Sequence, residues 1–91
     1  MTQEYISVFN VDLVGKDTPI SVKFTFFSNM IENMNLADQY QHAKLLFVKQ
    51  INQNSFFDIL NSEGMVSGSH ITYFEIQSLK KFEKEPLLEA V

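Results

Sequence analysis

The stretch Ile20-Ser-Val-Lys-Phe-Thr-Phe-Phe27 decides the fold class. Ile20, Val22, Phe24 and Phe26 alternate with Ser21, Lys23 and Thr25, so one side of this strand is apolar and the other polar. From Leu36 onward the apolar period changes. Leu36, Tyr40, Ala43, Phe47 and Ile51 fall within about 80° of one another on a helical wheel, the width of a single buried stripe. A sheet with a helix laid over one face follows from the two periods together.

Working outward, residues 5–14 repeat the strand pattern, with Phe9, Val11 and Leu13 on one side and Asn10 and Asp12 on the other. Ile6 and Val8 break the phase, which predicts a bulge or a second covered surface near the amino end. Gly15-Lys-Asp-Thr-Pro19 supplies turn formers between the two alternating stretches and makes them a β-hairpin. Asn29 with Glu32, and Asn35 with Asp38, are variants of a capping box. Asn35 opens the main helix, over residues 36–54, and Asn29 only a short turn holding Met30, Ile31 and Met34. The helix would be ~28 Å long at its rise per residue, and the strand quoted above ~27 Å. One helix can therefore cover the sheet along its length.

Beyond the helix, residues 55–60 read as a strand and 61–64 as a turn, with a very short strand at Met65 and Val66. Residues 71–76 are the last clear strand. Ile71 and Tyr73 point one way there and Phe74 and Ile76 the other, which predicts a bulge at Tyr73-Phe74 or two covered faces. The expected architecture is α+β: an antiparallel sheet of two β-hairpins in the order ββαββ, covered on one face by a single long helix. Residues 1–91 form one small domain, with 78–91 as a mobile or partner-docking tail. The expected core is Phe9, Val11, Leu13, Val22, Phe24, Phe26, Leu36, Tyr40, Ala43, Phe47, Ile51, Phe57, Ile59, Phe74 and Ile76.

Composition narrows function mainly by exclusion. The chain has no cysteine, which removes disulfides, Cys-based zinc sites and thiol catalysis. Its amino terminus lacks the basic start and apolar run of a signal peptide, and no apolar stretch approaches the ~18 residues of a membrane helix. A soluble cytoplasmic protein with no membrane contact is the expectation. All seven basic residues are lysines against eleven carboxylates, for a net charge of −4. Arginine makes the bidentate bonds to phosphate and guanine, so its absence weighs against nucleic-acid binding.

Catalytic constellations are missing too. His42 reads as a solvated helix residue. His70 could approach Asp58 or Glu63 across a hairpin, but a third and fourth metal ligand are lacking. Neither a G-x-S-x-G elbow nor a glycine-rich phosphate loop occurs, and Glu83, Glu85 and Glu89 belong to a charged run. No enzymatic activity, cofactor or metal is expected.

What remains is a small interaction or regulatory protein acting through protein–protein contacts and self-associating as a homodimer. Its size and composition suit an accessory protein of a phage or mobile element. Leu45 and Val48 on the helix, Tyr73 on the last strand, and Leu87 and Leu88 in the tail are the expected contact residues. The weaker alternative is a nucleic-acid-binding module using a sheet face and the cluster Lys80, Lys81 and Lys84, whose interleaved Glu83 and Glu85 blunt the attraction for phosphate.

Overall fold

The computed structural model describes residues 2–82. Strands β1 (Gln3–Leu13) and β2 (Ile20–Ser28) come first, then helix α1 (Leu36–Asn52), then β3 (Phe56–Ile59), β4 (Met65–Ser67) and β5 (Ile71–Lys81). All five strands join one antiparallel sheet in the spatial order β4-β3-β2-β1-β5.

The first hairpin forms as its turn chemistry dictates. β1 and β2 pair without interruption from Gln3 opposite Ser28 to Val11 opposite Ile20, and Gly15 takes the positive φ (78°) that a Cβ would disfavour. The bulge expected near the amino end of β1 is absent. Tyr5 and Ser7 keep the phase instead: both are buried on the helix side with Phe9 and Val11, while Ile6 and Val8 face away. Ser7 is tolerated there because its hydroxyl donates to the Phe24 carbonyl at 3.4 Å.

The expected ββαββ order misses one strand and one crossing. Met65–Ser67 closes a short hairpin with β3. The last strand does not join that hairpin. It pairs with β1 at the opposite edge of the sheet, and it runs on through Lys81, so that Ser78 and Leu79 are strand residues. Only Gly68–His70, a single 3-10 turn, separates Ser67 from Ile71. That link spans at most about 14 Å, whereas five strands laid flat put their outer members about 19 Å apart. The sheet therefore curls around its helix side. Gly68 marks the crossing, since a Cβ there would stand 3.0 Å from the Ile51 Cα and 3.2 Å from the Ser55 carbonyl oxygen.

Phe47 is the centre of the core. It stacks on Phe9 from β1 with ring centroids 3.9 Å apart and meets Phe24 from β2, Phe57 from β3 and Phe74 from β5 at 5.4, 4.7 and 5.2 Å. One helical side chain thus fastens four strands. Asn35 caps the helix, its side-chain oxygen accepting from the Asp38 N–H at 2.8 Å. Leu36, expected in the core, is the first residue of the helix and is 61% exposed. Ile31 and Met34, from the 3-10 turn before it, fill that end of the core.

Candidate interaction surface

β5 is an edge strand along its whole length, because among the described residues only β1 pairs with it. Its ladder with β1 carries two register shifts. Phe9 opposes Ile76 while Val8 opposes Ser78, which leaves Gln77 as an extra residue. Asp12 opposes Tyr73 while Leu13 opposes Ile71, which does the same for Thr72. The bulge expected at Tyr73-Phe74 thus lies one residue earlier, and it resolves the broken alternation. Ile71, Phe74 and Ile76 pack against the core, while Tyr73, opposite Asp12, turns to the uncovered face at 56% exposure.

The Tyr73 hydroxyl donates to a Glu75 carboxylate oxygen at 3.2 Å. The Glu75 charge, that hydrogen bond and, more weakly, the Asp12 charge all disfavour the phenolate, so the Tyr73 pKa is raised above its ordinary value. Val48 lies at the helix margin, and with Ile51, Ile71, Phe74 and Tyr73 it borders a cleft of about 280 Å³ beside the β5 edge. Two of the expected contact residues, Val48 and Tyr73, are thereby brought together. Leu45 is 61% exposed on the helix and borders none of the clefts described here. Leu87, Leu88 and Lys84 lie outside the described residues.

The face of the sheet away from the helix carries apolar side chains that the sequence reading passed over. Phe27, Phe56 and Met65 are 65%, 62% and 57% exposed. The signal was present in the doublets Phe26-Phe27 and Phe56-Phe57, since adjacent strand residues must point to opposite faces. Phe26 and Phe57 are buried, so their neighbours cannot be. Below Lys23 the third strand leaves β2, and the two pair only at Val22–Ile59 and Lys23–Asp58. A second cleft of about 380 Å³ opens in this fork, with Phe26, Phe27, Leu46, Gln50 and Phe56 among its walls.

Charge on the uncovered face is mixed. Strand alternation puts Glu4, Asp12, Asp58 and Glu75 there with Lys23 and Lys80. Lys81 points to the helix side and lies 3.8 Å from Glu32. His42, expected in solvent, is half-buried, with its Nε2 3.4 Å from the Ser28 hydroxyl and its ring edge-on to Phe26. The end of β2 lies against this flank of the helix, which the wheel alone could not show. Among the described residues, no three His, Asp or Glu side chains gather closely enough to hold a metal ion, and no helix is long and apolar enough to cross a membrane. Compared with known proteins, the chain matches no family model, no curated sequence and no solved structure.

Proposed function

We propose that this chain is a small non-enzymatic interaction protein of the cytoplasm, with a regulatory role exerted through protein–protein contact and a second copy of itself as its first partner. The outer edge of β5, an 11-residue strand without proline that has no second partner among the described residues, carries the reading. An unpaired edge of that length presents a row of free N–H and C=O groups that another strand can satisfy. The cleft beside it, with Val48 on one rim and Tyr73 on the other, supplies apolar surface to the same contact.

Nucleic-acid binding has less support. Lys80 and Lys23 share the uncovered face with Glu4, Asp12, Asp58 and Glu75, and a surface with more carboxylates than lysines offers phosphates little attraction. Sedimentation equilibrium from micromolar to millimolar concentration tests self-association. The expected outcome is a rise from the 10.5 kDa monomer mass toward twice that value, and a constant monomer mass over the whole range would sink the reading.

A further inference from the structure

Resting on that self-association reading, we infer that two copies pair through their β5 strands in one antiparallel register, which sets Ile76 of one copy opposite Leu79 of the other, Phe74 opposite Lys81, and Glu75 opposite Lys80. The backbone selects this register. The Phe82 N–H donates to the Glu4 carbonyl and the Val14 N–H to the His70 carbonyl, both at 2.9 Å, so the even-numbered residues of β1 direct their polar groups toward β5. Their partners Tyr73, Glu75, Ser78 and Lys80 point inward, and Phe74, Ile76, Leu79 and Lys81 point to the open edge. The extra residue Gln77 changes the parity between the two halves of the strand. When two copies run antiparallel, the first half of one lies along the second half of the other. Outward groups then meet outward groups throughout only if Ile76 faces Leu79. A slip of one residue sets outward groups against inward ones, and a slip of two halves the ladder.

Side chains agree with the backbone. Ile76, Leu79, Phe74 and Lys81 all stand on the helix side, and Glu75 and Lys80 both stand on the uncovered side, so every pair shares a face. Glu75 meets Lys80 twice, once on each side of the two-fold axis, and opposite charges directly across a ladder stabilise it. Tyr73 comes opposite Phe82, which borders a cleft with Ile6 of the uncovered face. Lysines on an edge strand ordinarily discourage pairing. Here the acidic half of the strand is placed to receive the basic half of a second copy, so the edge repels most foreign strands and accepts its own.

The test is a charge swap read by sedimentation. Glu75→Lys and Lys80→Glu, made separately, each set like charges opposite twice per dimer and should raise the dimer dissociation constant about tenfold. The double variant Glu75→Lys/Lys80→Glu should return it to the parent value. Hydrogen exchange gives a reading on the unmodified chain: the amides of Phe74, Ile76, Leu79 and Lys81 should gain protection as concentration rises. A parent that stays monomeric overturns this pairing together with self-association. A dimer that ignores the single swaps, or leaves those amides unprotected, overturns the register alone.

Discussion

Tyr73 shows how much a single position depends on its neighbours. In sequence it is one aromatic residue in a strand of uncertain phase, and in the fold it stands on the uncovered face within hydrogen-bonding distance of Glu75. Because its folded pKa is raised, the neutral phenol is the favoured form. Any stability this contributes is complete below the ordinary tyrosine range and is lost as pH rises through the folded value. Ultraviolet titration, with Tyr73→Phe to isolate the signal, should find Tyr73 ionising above the ordinary value. Glu75→Gln should bring it down, and a Tyr73 signal indifferent to that change would contradict the assignment. The doublets Phe26-Phe27 and Phe56-Phe57 make the same point about exposure: adjacency in a strand dictates that one ring of each is outside, but which one depends on which face the helix covers.

At the scale of elements, hairpin, helix and cap were legible because local chemistry specifies them. Asn35 three residues before Asp38, Gly15 in the first turn, and the two apolar periods all act within a few residues of themselves. The destination of β5 was not legible. Its partner β1 lies some sixty residues earlier, and the chain reaches it only because Gly68 lets the link pass tightly over the helix end. Gly68→Ala should therefore destabilise the fold by roughly 1–3 kcal/mol, since its new methyl meets backbone atoms that cannot give way easily. Urea denaturation would measure this, and an unchanged midpoint would mean that the crossing is looser than the structure has it. The very short strand read at Met65 and Val66 is present as Met65–Ser67 although the ββαββ order leaves it out: a strand of three residues gains its stability from the hairpin it closes, and its own composition says little.

In the whole molecule, the two faces of the sheet contribute unequally to stability. Phe47 is fully buried and fastens four strands. Phe47→Ala should cost roughly 3–5 kcal/mol, enough to leave so small a domain largely unfolded. Phe27, at 65% exposure on the uncovered face, should tolerate serine within about 0.5 kcal/mol. Thermal melts of the two variants, compared with the parent, check both statements. A large loss in Phe27→Ser would show that the uncovered face contributes to the fold itself.

By itself the sequence determined an α+β domain, one antiparallel sheet, one covering helix with its cap, and most of the core, because periodicity and capping act over short distances along the chain. Only the tertiary structure decided that the last strand crosses to the far edge, that its two extra residues turn Phe74 and Ile76 inward and Tyr73 outward, and that, among the described residues, one edge of this 11-residue strand is left without a partner. Strand pairing is a contest among distant segments for the same backbone hydrogen bonds. Its outcome depends on the room the crossing turn and the helix leave, which no local pattern records.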